Sequence, residues 1–125
     1  MHYKKFEDLP VWIKSRIFVN KIYSLINSNN KLNRDFSLCD QIKRASYSIM
    51  LNIAEGFERK SNKEFANFIN IAKGSAGEVR CILHIMVDNN YIKKEDYDSL
   101  VNEIEEISIN LSIFGNFLRS HNSKK

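Results

Sequence analysis

Apolar residues recur along this chain at alternating intervals of three and four, the spacing that puts side chains on one face of an α-helix. Four segments show it. Over 10–27, Val11, Ser15, Phe18, Ile22 and Leu25 share a face, and Pro10 suits the first helical turn, where its missing N–H costs nothing. Over 37–57, Leu38, Ile42, Ala45, Ile49, Asn52 and Gly56 form an unbroken series. Over 62–89 the series is Phe65, Phe68, Ala72, Ser75, Val79, Ile82 and Met86. Over 94–120 it is Tyr97, Leu100, Ile104, Ile107, Leu111, Phe114 and Leu118.

The intervening residues punctuate these helices. NSNNKLNRD (27–35) has no periodicity and reads as a loop, after which Asp35 or Ser37 can cap the next helix. SNKE (61–64) is a capping box in which Ser61 and Glu64 each satisfy a backbone amide. DNN (88–90) ends the third segment, and Glu95 and Asp96 favour the start of the fourth through the helix dipole. KGSAG (73–77) places two glycines inside a helix, at about 1 kcal/mol each relative to alanine. Because the phase runs through unshifted, the reading is one helix with a small-residue waist that a neighbouring backbone approaches. Four helices with short connections predict an all-α fold, an antiparallel up-and-down four-helix bundle forming a single domain over 1–125.

Composition fits that picture. One proline and four glycines in 125 residues are poor material for a turn-rich β fold, and a chain of this length can bury one core without staples. Cys39 and Cys81 lie far apart with no CxxC pair, so two reduced, buried thiols are expected rather than a zinc site or a disulfide. The first ten residues lack the apolar core of a signal peptide, and no window approaches eighteen uninterrupted apolar residues, so a soluble, cytoplasmic protein without membrane contact is expected. A second apolar row, Ile109, Ile113 and Phe117, and the residues Tyr47, Met50, Ala54 and Phe57 exceed what one bundle covers. A homo-oligomer is the economical explanation.

Catalytic chemistry finds little material. A di-iron bundle wants Glu-x-x-His on two helices, and the sequence has none; His84 lies among apolar residues and reads as a partly buried, hydrogen-bonded side chain, while His2 and His121 lie at the ends. Ser46, Ser48 and Ser75 have no histidine at helical spacing, and GSAG (74–77) lacks the context of a phosphate loop. No enzyme activity, metal or cofactor is expected.

Polar residues on the second seam need another role. Asn52, with Glu55 beside it, can select one helix register because any other would leave it without hydrogen bonds; Arg44, Arg59, Ser75 and Glu78 are its expected counterparts. A small-ligand or metal pocket would require Glu55, Glu64 and Glu78 to converge. The net charge is +4, and residues 1–34, with seven basic and two acidic side chains, carry all of the excess. Candidate phosphate contacts are Lys14, Arg16, Lys21, Lys43, Arg44, Arg59, Lys60 and Lys63. No helix-turn-helix, RNA-recognition or zinc-finger signature points to base reading, so RNA or DNA would be held by its backbone. The competing expectation is a protein-interaction scaffold whose partner docks on the fourth segment near Glu103, Glu105 and Glu106.

The stretches FEDLPVW (6–12), QIKRASYSIMLNIAEGFER (41–59) and EFANFINIAKGSAGEVR (64–80) resemble the four helix bundle proteins also called 23S rRNA intervening-sequence proteins. The most specific residues are Asn52, Glu55, Gly56, Arg59, Glu64, Phe65, Gly74, Ser75 and Glu78, in the family's order and approximate spacing. The resemblance implies an antiparallel four-helix bundle, commonly a ring-like homopentamer, from bacterial genes sometimes found inside intervening sequences of large-subunit ribosomal RNA. It also implies kinship with the accessory proteins of diversity-generating retroelements, which bind nucleic acid and a reverse transcriptase. It brings no enzymatic activity and no cofactor. Met50 and Leu51 stand where the family has small residues or proline, which predicts a straighter helix there.

Overall fold

Pro10 opens the first long helix, α1 (Pro10–Ser28), where its ring pre-sets a helical φ. A computed structural model describes residues 3–121 of the chain. A single 3-10 turn (Phe6–Asp8) precedes α1, and α2 (Asn30–Asn33), α3 (Phe36–Phe57), α4 (Asn62–Asp88) and α5 (Lys94–Ser120) follow. No strand occurs among the described residues.

The one-turn helix α2 replaces the expected loop. Asn29 accepts a hydrogen bond from the Leu32 amide at 2.9 Å, and Leu32 is fully buried, so side-chain capping and one apolar anchor suffice to wind a turn. Asp35, rather than Ser37, caps α3 by accepting from the Leu38 amide at 3.1 Å. Ser61 accepts from the Glu64 amide at 3.2 Å, but the reciprocal Glu64 bond does not form among the described residues. The Glu64 side chain is exposed, and half of the capping box is enough to start α4. Asn90, with φ of 60°, takes the left-handed conformation that turns the chain from α4 to α5.

Each long helix meets two others, so the order around the bundle is α1, α3, α4, α5. Cross-helix pairs show the antiparallel sense of α4 and α5: Asn62 reaches the His121 carbonyl, Arg80 reaches Glu105, and His84 reaches Tyr97. Phe18, Ile22, Ile42, Ile49, Ile53, Phe65, Ile69, Leu83, Met86, Ile104 and Leu111 fill one continuous core.

Two expectations about that core are corrected. On α3 the buried row is Cys39, Ile42, Ala45, Ser46, Ile49, Ile53 and Gly56, while Leu38 and Asn52 are half-buried at its edge. The apolar Ile53 takes the inward place because burying an amide costs more than burying a hydrocarbon. The close approach of helices is also not at Gly74 and Gly77, where an added Cβ would meet nothing within 4 Å. It lies at Gly56, where a Cβ would stand 2.7 Å from Phe65 Cδ1 and 2.8 Å from Phe68 Cβ. Helix α4 is nevertheless unbroken, because its apolar face continues on both sides of the glycines.

The buried serines of α1 and α3 are unequal. Ser15 Oγ donates to the Val11 carbonyl at 2.7 Å, whereas Ser46 Oγ is buried with no partner among the described residues, a condition that costs about 1–3 kcal/mol.

The thiols differ too. Cys39 is buried, donates to the Leu32 carbonyl at 3.1 Å and has its pKa pushed up by burial; Cys81 is exposed, contrary to expectation, because it lies on the outer side of α4. Since the thiolate is the nucleophile, a disulfide reagent is expected to label Cys81 rapidly and Cys39 only after unfolding. Equal rates for the two would refute this account of Cys39.

Candidate nucleic-acid interface

The eight predicted cations separate by what lies beneath them. On the α5 side of α1, Lys14 Nζ donates to Glu106 and Lys21 Nζ to Glu103 at 2.6 Å. Such exposed pairs add about 0–1 kcal/mol of stability, but they neutralise the charge that a phosphate would seek. On the α3 side, Arg16 lies over the Trp12 ring at 5.8 Å, and Lys43 of α3 lies over the Tyr23 ring of α1 at 5.3 Å. Arg59 lies over Phe68 at 4.7 Å and also pairs with Glu55 at 3.3 Å. Arg44, Lys60 and Lys63 are exposed and form no ion pair among the described residues.

An aromatic face steers a cation without cancelling its charge, so the outer side stays open to an anion. Residues 16 and 23 of α1 are seven apart and share a helical face, which aligns Arg16 and Lys43 along the α1–α3 seam. Arg59, Lys60 and Lys63 occupy the α3–α4 turn. Sequence reasoning found all these cations but missed the aromatic supports, although Trp12 and Arg16 stand at i, i+4.

The acidic surface expected on α5 is tied up. Glu103 holds Lys21, Glu106 holds Lys14, and Glu105 accepts from Arg80 at 3.4 Å.

The polar residues at the α3–α4 seam form a short chain of bonds. Asn52 Nδ2 donates to the Ser48 carbonyl at 2.8 Å and to Ser48 Oγ at 3.0 Å, and Ser48 Oγ lies 3.0 Å from Ser75 Oγ. Of the four expected counterparts of Asn52, only Ser75 joins, and it does so through Ser48. Arg59 turns to Glu55, while Arg44 and Glu78 are exposed on the outer sides of their helices. Ser48 went unrecognised, although its place four residues before Asn52 is the signal that would have found it.

Glu55, Glu64 and Glu78 do not converge. All three are exposed, and no group of three or more His, Cys, Asp or Glu that could hold a metal occurs among the described residues. His84 is exposed rather than partly buried, and its Nδ1 lies 2.7 Å from the Tyr97 hydroxyl. His121 stacks on Phe117 at 4.1 Å, whereas His2 lies outside the described residues. At the far end of the bundle the Tyr91 hydroxyl donates to Asp35 at 2.8 Å, and that bond holds the tyrosine pKa above its ordinary value.

A family model described as 23S rRNA-intervening sequence protein matches residues 7–112, a span that contains the signature residues and all eight cations. The chain belongs to the 23S rRNA-intervening sequence protein family. Among solved structures, this family member is similar to a protein of unknown function from the S23 ribosomal protein family of Bacteroides thetaiotaomicron VPI-5482. The two share 33% identity with a TM-score of 0.77, over 83% of this chain and 97% of that one. No curated protein matches the chain. The likeness to the Bacteroides protein supports the helical bundle of the intervening-sequence family and leaves the role to be argued from the surface. No helix among the described residues is long and apolar enough to cross a membrane.

Proposed function

We propose that this intervening-sequence family member is a non-catalytic, self-associating bundle that binds RNA or DNA through the phosphate backbone without strong sequence preference. The observation that carries the reading is the division of the cations. Lys14 and Lys21 are neutralised by α5, whereas Arg16 and Lys43 along the α1–α3 seam, Arg44 on the outer side of α3, and Lys60 and Lys63 at the α3–α4 turn have no carboxylate paired to them among the described residues. The ring-like homopentamer, the bacterial cytoplasmic setting and the kinship with retroelement accessory proteins belong to the same proposal, on the strength of the resemblance. A protein partner on α5 is less favoured, because each carboxylate it would use already holds a cation.

The test is fluorescence anisotropy of nucleic-acid-free protein with labelled RNA and DNA across a salt series. Each phosphate contact is expected to contribute about 0.7–0.9 to the slope of log affinity against log salt. Replacing Arg16, Lys43, Arg44 and Lys60 by Gln is expected to lower that slope by about 3.6 units on duplex DNA. Replacing Lys14 and Lys21 is expected to leave it nearly unchanged. Absence of binding at low salt would overturn the proposal.

A further inference from the structure

The α4–α5 seam stands across the bundle from the α1–α3 seam, and its charges are unequally compensated along its length. Towards the α4–α5 turn, His84 meets Tyr97 and Arg80 meets Glu105. Beyond them the acids stop: no carboxylate side chain occurs in α4 between Glu64 and Glu78, nor in α5 after Glu106. Two cations remain in that stretch, Lys73 and Arg119, and neither forms an ion pair among the described residues.

Both cations line a cavity of about 160 Å³ between the two helices. The buried Ile69 and Gly115 floor it, Asn70 and Lys73 of α4 form one wall, and Ser112, Asn116 and Arg119 of α5 form the other. Gly115 sets the place of the guanidinium. A Cβ there would stand 3.4 Å from Arg119 Nη1 and 3.9 Å from its Cζ, so the guanidinium lies back along α5 against the space a side chain would take. Asn116 Oδ1 accepts from Nη1 at 3.3 Å and holds it there, which leaves the Asn116 amino group to donate elsewhere. Glycine is a poorer helix former than alanine, and here its missing side chain opens the cavity.

We propose that this cavity binds a dianionic phosphate group, carried free or as the monoester of a small molecule. Every polar side chain that lines it can donate: an ammonium, a guanidinium, two amides and a hydroxyl, with no carboxylate to oppose an anion. Two positive charges match the nearly two negative charges of a phosphate monoester at neutral pH, where a carboxylate or a backbone phosphodiester brings only one. The planar guanidinium suits a pair of phosphate oxygens, and Lys73 supplies a point charge from the opposite wall. Size sets a further limit, since pockets for drug-sized molecules run to roughly 300–1,000 Å³. A phosphate group enters, and the rest of a monoester stays outside. The site is separate from the cations of the α1–α3 seam and does not depend on their binding nucleic acid.

NMR titration of isotope-labelled, nucleic-acid-free protein at constant ionic strength tests the assignment, with inorganic phosphate, phenyl phosphate and the diester dimethyl phosphate as probes. At about pH 8 the first two are dianions. Each of them is expected to give saturable shifts at the side-chain amides of Asn70 and Asn116 and at the backbone of Gly115, and the diester is expected not to saturate. Lys73→Gln and Arg119→Gln are each expected to weaken binding of the dianions about tenfold or more, the effect of losing a hydrogen bond to a charged group. Helical circular dichroism should be unchanged, because both side chains are exposed. Lys63→Gln, at the α3–α4 turn, is expected to leave the affinity as it was. Phenyl phosphate bound as well as inorganic phosphate would name a monoester as the ligand, and inorganic phosphate bound alone would name the free ion. Shifts that do not saturate, or that gather at Lys60 and Lys63 instead, would overturn the site. Saturable binding that survives both Lys73→Gln and Arg119→Gln would overturn it equally, and a diester bound as tightly as the dianions would overturn the assignment to a dianion.

Discussion

Gly56→Ala is expected to destabilise the fold by about 1–3 kcal/mol, although alanine is the better helix former. The added Cβ would stand 2.7 Å from Phe65 Cδ1 and 2.8 Å from Phe68 Cβ. A ring can tilt away, but the Cβ of Phe68 is fixed to its backbone, so relief requires α3 and α4 to separate along a seam packed with Ile49, Ile53 and Ala72. The same substitution at Gly74 meets nothing within 4 Å and is expected to raise stability by about 1 kcal/mol through helix propensity alone. Chemical denaturation of the two variants side by side reads the difference. Two stabilised variants would mean that α3 and α4 are less tightly apposed than described, and a destabilised Gly74→Ala would point to a neighbour against the outer side of α4.

That contrast also shows what the sequence could convey. A glycine in a helix announces a departure from propensity but carries no mark of whether it is needed for space. KGSAG therefore drew attention as a cluster, while the isolated Gly56 held the close contact. The α3 seam was ambiguous for a similar reason. Leu38, Ala45 and Asn52 form one row with Ile42, Ile49 and Gly56, and Cys39, Ser46 and Ile53 form another with the same three anchors. Periodicity cannot separate rows that share half their members; packing chose the row containing Ile53. Helix α5, with no competing row of that kind, was legible almost residue by residue. The cations were visible as charges, but their partners were not, because Lys14 meets a carboxylate 92 positions away and Lys21 one 82 positions away. Whether a lysine is spoken for is decided by tertiary structure, and here that decision defines the candidate interface.

Phe65→Ala is the largest single effect expected, a loss of about 3–5 kcal/mol from removing a buried aromatic and leaving a cavity. Phe65 is fully buried and meets Phe57 edge-on at 6.1 Å and Phe114 edge-on at 5.2 Å, so one ring ties α4 to both α3 and α5. Against a total stability of about 5–15 kcal/mol for a domain of ordinary size, this brings the variant near the limit of folding. The loss is expected to be coupled to Gly56. In a chain carrying both substitutions, the methyl group added by Gly56→Ala no longer meets the Phe65 ring, so that part of the clash is relieved while the contact with the Phe68 Cβ remains. The double variant should therefore be more stable than the sum of the two losses predicts, by about 0.5–3 kcal/mol as for residues in direct contact. Strict additivity in a denaturation cycle would show that the two sites do not share the contact on which the α3–α4 packing depends.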